Sequence, residues 1–236
     1  TIAGAFLIGQ KPTGSRDPFG LRRAANAVVR LVLQRELALD VFALLRDQLP
    51  LYEGAGGGEG LAEVEAFLGE RLGQVLRHEF GVAYDVAEAV VAPGDGHVLN
   101  VMRKARSLEA LRGTPAFASL VQTFSRAHNL LAKRADEVPD GYNPKRFVEP
   151  AESDLWRALL KAESQLDKRL AEDDFDGVLE ALTALRPAID QYFEEVMVMA
   201  DDDALRRNRL GFLGAIRAHF LRVGDLSKVV LEGAAD

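Results

Sequence analysis

The sequence predicts an all-α protein built of helical bundles, on three observations. Apolar residues recur at spacings of three and four through a chain dominated by Ala, Leu, Glu and Arg. Prolines stand where a first helical turn tolerates them and glycines where C-terminal caps belong. No run alternates apolar and polar residues as a half-buried strand would.

The elements follow in order. Ala5–Ile8 is an apolar run that reads as the buried end of a helix. Asp17-Pro18 signals a helix start, after which Leu21, Ala24, Val28 and Val32 can pack inward, while Arg22, Asn26 and Arg30 fall at i, i+4, i+8 on another face. Glu53–Gly60, EGAGGGEG, reads as a flexible loop. Leu61, Val64, Phe67, Leu68, Leu72, Val75 and Leu76 then form a helical stripe, closed by a Gly81 cap. Ala92–His97, APGDGH, is a turn cluster, and Gly113 followed by Thr114-Pro115 ends one helix and starts another. That helix carries the stripe Phe117, Leu120, Val121, Phe124, His128 and Leu131. Asp136–Pro150 holds three prolines and reads as a domain boundary; Leu155, Leu159, Leu166 and Leu170 make the next stripe, and Arg186-Pro187 opens a further helix. There Ile189, Tyr192, Phe193, Val196 and Met197 form an apolar face, Met197-Val198-Met199 a tight apolar junction, and Asp201 or Asp202 a cap for a last helix with Leu205, Phe212, Leu213, Ile216 and Phe220 facing inward. This organisation divides the chain at 1–49, 50–137 and 138–236.

Composition bounds the chemistry. With 236 residues, 48% of them apolar, a sizeable core can form, and no stretch of 18 apolar residues offers a membrane span. Thr1 lies in an apolar helical pattern without a basic leader, which reads as a chain cut from a longer protein and not as a signal peptide. The absence of cysteine excludes disulfides and thiolate zinc sites and fits a cytoplasmic protein. A net charge of −7 is unlike a generic nucleic-acid binder, so any RNA contact must use local patches. One is visible: residues 1–35 hold six Lys or Arg and one acid.

Several sites are expected to be absent. Gly4 to Lys11 imitates a phosphate loop, but Gln10 separates Gly9 from Lys11 and Pro12 follows, removing an N–H that a phosphate nest needs. His78, His97, His128 and His219 are scattered, and no paired-histidine metal motif occurs. Asp201–Asp203 fits a cap and first helical turn better than a metal site. No catalytic residues and no metal are expected in this chain.

The basic groups are more informative. Lys11 and Arg16 flank the turn before the helix that carries Arg22, Arg23 and Arg30, and a helix N-terminus beside clustered Arg suits a phosphate backbone. The alternative is a solvated face salt-bridged to neighbouring helices. Arg103-Lys104-Ala-Arg106 reads mainly as such a face. Near the other end, Arg206, Arg207, Arg209 and Arg217 spread beside aromatic residues, a combination that suits unstacked RNA bases. Arg209 and Asn208 read equally well as internal bracing, and most of the aromatics as core.

Two blocks carry a resemblance. Asp203-Ala204-Leu205-Arg206, preceded by VMVMADD and followed by RRNRL, resembles the helical DALR-type anticodon-binding domain of the bacterial glycyl-tRNA synthetase beta subunit. The opening GQKPTGSRDPFGLRRAA resembles the end of that subunit's degenerate HD-type domain, with Arg16 in place of the usual Lys and Gly20 in place of the usual Ala. The middle, about 50–110, carries only generic helix.

The resemblance implies a C-terminal portion of the beta subunit of a class II aminoacyl-tRNA synthetase, usually an α2β2 assembly. It implies that the alpha subunit activates glycine with ATP and Mg²⁺, and that this chain holds no cofactor. Its expected partners are glycine tRNA and the alpha subunit, with neither DNA nor membrane. The expected task is reading the two cytosines of the glycine anticodon, with Arg206, Arg207 and Arg209 first among the contacts, joined by Arg217, Lys11, Arg16, Arg22, Arg23 and Arg30. Two alternatives stand beside it: the anticodon domain of an arginyl-type synthetase, and a helical subunit-docking module without RNA contact.

Overall fold

A computed structural model describes residues 2–48 and 58–231 of the chain. They form eleven α-helices, three 3-10 turns and no strand; the only β-type pairings are two isolated bridges, Thr13 with Arg16 and Asp40 with His97. The chain divides into two compact units, Thr1–Arg106 and Ser107–Asp236, and the division falls inside α6 (Val98–Leu111).

In the first unit α4 (Gly58–Phe80) is the spine. Against it pack α1 (Ile2–Leu7), α2 (Leu21–Gln34), α3 (Val41–Gln48) and α5 (Tyr84–Val91). The α4 stripe read from sequence is the core here: Val64, Leu68, Leu72, Val75 and Leu76 are all buried. Each such side chain contributes about 1.5–3 kcal/mol of transfer free energy.

Four local expectations are corrected. The buried set on α2 is Leu21, Ala25, Val29, Val32 and Leu33, so the helix is turned relative to the expected stripe and Ala24 and Val28 lie at its edge. Ile8 falls just past the end of α1 and is 64% exposed. Pro18 sits in the turn before α2 and not in its first helical turn. Gly58–Gly60 belong to α4, which shortens the expected glycine loop; its residues 53–57 lie outside the described ones.

The second unit is built from α7 (Pro115–Ala132), α8 (Pro150–Ala171), α9 (Phe175–Thr183), α10 (Arg186–Glu195) and α11 (Asp203–Leu221). Helix α7 runs centrally, touching α9, α10, α11 and the 3-10 turn Leu226–Lys228. Its buried Phe124 meets Phe220 of α11 with ring centroids 5.8 Å apart. Capping follows the sequence signals. The Thr114 side chain accepts from Phe117 N, with Pro115 at the first helical position, and Gly81 and Gly113 take positive φ just beyond α4 and α6. Residues 133–149, irregular as expected, lie within this second unit.

Candidate nucleic-acid interface

Helix α11 starts where the D-A-L-R residues stand. Asp202 is its N-cap, with the carboxylate accepting from Leu205 N at 2.8 Å, and Asp203 occupies the first turn. The acidic run is therefore helix-start chemistry. Among the described residues no cluster of three His, Asp, Glu or Cys could hold a metal.

The four arginines of this helix have separate fates. Arg209 is 3% exposed. Its guanidinium meets Glu152 of α8 in a fork, Nε to Oε1 at 3.0 Å and Nη2 to Oε2 at 3.1 Å, and Nη1 donates to the Met197 carbonyl at 2.9 Å. Glu152 is fully buried and also accepts from Val148 N and Glu149 N, both at 2.8 Å, closing the capping box of α8. Burial alone would raise the Glu152 pKa, but the hydrogen bonds from Arg209 and the two backbone amides, with the Arg209 charge, hold it below the ordinary glutamate value. Arg209 is thus an internal brace. The expectation that it contacts RNA is corrected, because every face of its guanidinium is used or covered.

Arg206 is also committed. It donates to the Ala200 carbonyl at 2.9 Å, pairs with Asp203 at 2.5 Å and reaches Glu137 at 3.4 Å. Together Arg206 and Arg209 hold the 196–202 segment between α10 and α11. Met197, expected in a tight junction, is instead 73% exposed there, because it is its carbonyl that turns inward to Arg209. Arg217 is half-buried, with its Nε covered and lacking a partner. Arg207 alone of the four is exposed, with no carboxylate within 4 Å among the described residues.

Arg207 borders a cavity that the sequence did not announce. Segment 139–146 lies on α11, held by two features. Asn208 is 6% exposed and grips the backbone of Asn143, its Oδ1 accepting from N at 2.7 Å and its Nδ2 donating to O at 3.2 Å. Gly211 lets the segment approach: a Cβ there would stand 2.3 Å from the Gly141 carbonyl oxygen and 2.9 Å from Pro139 Cγ. The result is an open cavity of about 480 Å³ lined by Pro139, Tyr142, Arg146, Asp203, Arg207 and Asn208. The Tyr142 ring is fixed from below by Phe212 at 4.8 Å and stacks on Phe147 at 6.1 Å. Arg146 is exposed and, like Arg207, without an acid partner among the described residues. Gly211 in LGFLG was the available sequence signal for this close approach.

In the first unit Lys11 pairs with Glu63 at 2.5 Å, and Arg30 grips Glu79 with contacts of 2.6 and 2.8 Å. Arg22 turns back on the preceding loop, donating to the Gly14 carbonyl at 2.7 Å. Arg16 and Arg23 are exposed. The N-terminus of α2 is not open to a phosphate, because Asp17 accepts from Leu21 N at 2.7 Å and from Arg22 N at 3.0 Å. Lys104 of the 103–106 cluster is buried and paired with Asp95 at 2.6 Å.

Two family models match the chain: the glycyl-tRNA synthetase beta subunit over residues 1–92 and the DALR anticodon binding domain over residues 120–225. The glycine–tRNA ligase beta subunit of Acidobacterium capsulatum is 36% identical over 237 aligned residues, covering 98% of this chain and 34% of that protein. Those of Desulforudis audaxviator and Pseudomonas aeruginosa are 35% and 37% identical, each over 96% of this chain and 33% of the relative. The chain thus spans about a third of the length of the curated relatives it matches. With the DALR residues at the head of α11 and the match running from end to end, the chain belongs to the glycyl-tRNA synthetase beta-subunit family and carries a DALR anticodon-binding domain.

Proposed function

We propose that this chain is a tRNA-binding portion of glycine–tRNA ligase, and that its second unit takes the anticodon arm of glycine tRNA and positions the tRNA for aminoacylation by the alpha subunit of a cytoplasmic, class II α2β2 enzyme. In this reading the present chain holds no active site, and ATP, Mg²⁺ and glycine are handled by the alpha subunit.

The observation that carries the reading is the cavity beside α11. It combines an aromatic ring, an acceptor and two unpaired guanidiniums within the residues that match the DALR domain. Tyr142 offers a stacking edge for a splayed base, and the Asp203 carboxylate can accept from a cytosine N4 amino group. Arg146 and Arg207 suit the flanking phosphates. Asn208 and Gly211 fix the walls beforehand, so little ordering entropy is lost on binding.

The test is binding of the chain to glycine tRNA, to the same tRNA with both anticodon cytosines replaced, and to an arginine tRNA, each at two salt concentrations. Glycine tRNA is expected to bind best, with about 1–3 kcal/mol lost per replaced base. Equal, steeply salt-dependent binding to all three would overturn anticodon reading and leave backbone attraction alone. The net charge of −7 favours a second reading, a docking module without RNA contact. Absence of all tRNA binding, with retention of the alpha subunit on co-purification, would select it.

A further inference from the structure

The first unit holds three neighbouring guanidiniums, Arg16, Arg22 and Arg23, that no acid among the described residues neutralises. Five other arginines meet acids: Arg30 meets Glu79, Arg46 meets Glu65, Arg126 meets Asp190, Arg169 meets Asp174 and Arg222 meets Asp167. Arg16, Arg22 and Arg23 have no carboxylate within 4 Å among the described residues, although the chain as a whole is acidic. Asp17, the one acid nearby in sequence, spends its carboxylate on the α2 amides.

The turn that carries these groups is rigid by construction. Thr13 N donates to Arg16 O at 3.1 Å and Arg16 N to Thr13 O at 2.8 Å, closing a tight hairpin with Gly14 at φ 51. Arg22 braces it from α2 through the Gly14 carbonyl at 2.7 Å and the Arg16 carbonyl at 3.5 Å. Arg23 folds back over Gly20, its Nη2 3.1 Å from where a Cβ would stand. Gly20 takes φ 64 and ψ 29, a left-handed conformation that suits glycine. Between Arg16 and Arg23 the Phe19 ring is 59% exposed.

From this arrangement we propose that the turn Thr13–Arg23 is a second RNA-contact surface, which takes phosphates of the bound tRNA on Arg16 and Arg23 and a base or ribose face on Phe19. Arg22 acts as a positioning residue that holds the hairpin. Unpaired cations in an otherwise acidic chain favour a polyanion, and an exposed aromatic among guanidiniums favours a strand with accessible π-faces. The surface carries no acceptor set for base edges, so it contributes affinity without reading sequence. The proposal rests on the reading that this chain binds tRNA.

The test compares the full chain with Arg16→Glu/Arg23→Glu, Phe19→Ala and Arg207→Ala against glycine tRNA and the anticodon-replaced tRNA across salt concentrations. The double charge reversal is expected to weaken both RNAs about equally, by tenfold or more, and to flatten the salt slope by about two. Phe19→Ala is expected to weaken both several-fold at unchanged slope. Unchanged affinity and slope in these variants, with Arg207→Ala weakened, would overturn this surface while leaving the anticodon reading intact. Failure of the unaltered chain to bind any tRNA overturns both. Ultraviolet crosslinking of the unaltered chain to glycine tRNA is the folding-independent check: adducts within residues 13–23 support the surface, and adducts confined to the second unit count against it.

Discussion

The two arginine-rich regions, 11–30 in the first unit and 202–217 in the second, look alike as sequence and are spent differently. In the first, the committed cations pair at the surface: Lys11 and Arg30 keep 45% and 46% of their side chains exposed in their ion pairs. In the second, Arg209 keeps 4% and its partner Glu152 none. An exposed pair exchanges one set of water contacts for another and gains little. A buried pair has lost its water, so each charge depends on the other and on the backbone groups that bond it. Burial decides whether an arginine is structural, and what remains uncommitted in each region, Arg16 and Arg23 in the first and Arg207 in the second, is what can meet a partner.

The strongest way to break the contrast is Arg209→Ala. It would strand the Glu152 carboxylate in the core and release the Met197 carbonyl, so chemical denaturation should show a loss of about 3–5 kcal/mol. Replacing both partners with apolar residues, Arg209→Met with Glu152→Leu, should cost clearly less than the sum of the single changes. Acid sharpens the same point. The folded Glu152 pKa is depressed below its ordinary 4.5, so its contribution is present above that value and lost as pH falls through the folded value. Glu152→Gln should flatten the acid limb of a stability–pH profile; an unchanged limb would show that other carboxylates govern it.

How far the sequence carried this picture depends on the kind of signal. The stripes on α4, α7 and α8 were legible because three-and-four periodicity is a direct consequence of burying one helical face. The α2 face was misjudged because Ala24, Ala25, Val28 and Val29 give two adjacent apolar stripes, and only packing against α4 selects Ala25 and Val29. Arg209 could not be separated from Arg207, since the choice depends on Glu152, 57 residues away. The cavity escaped for the same reason: Arg146 and Tyr142 reach Arg207 only because Asn208 and Gly211 seat the 139–146 segment on α11.

That seating gives the next test. Gly211→Ala would force its methyl group against the Gly141 carbonyl and Pro139, and the segment must shift because a backbone oxygen cannot swing aside. Overpacking of this kind costs about 1–3 kcal/mol. The expected result is a moderate drop in the second unit's stability, with the affinity lost for glycine tRNA exceeding that lost for the anticodon-replaced tRNA. Equal losses for the two RNAs would mean that the cavity does not contribute to base reading.

The smallest expected effect belongs to the other side of the contrast. Arg30→Ala removes a well-formed fork to Glu79, yet both side chains stay hydrated at the surface and Glu79 remains free to rehydrate. Equilibrium denaturation should show no resolvable shift in midpoint, and tRNA affinity should stay unchanged because the Glu79 carboxylate already neutralises this guanidinium. Weakened tRNA binding with intact stability would mean that Arg30 leaves Glu79 for a phosphate, and the division between spent and unspent cations would then have to be drawn by energy and not by contact. The surface pair, where the two descriptions come closest to each other, is the place where that distinction can be measured.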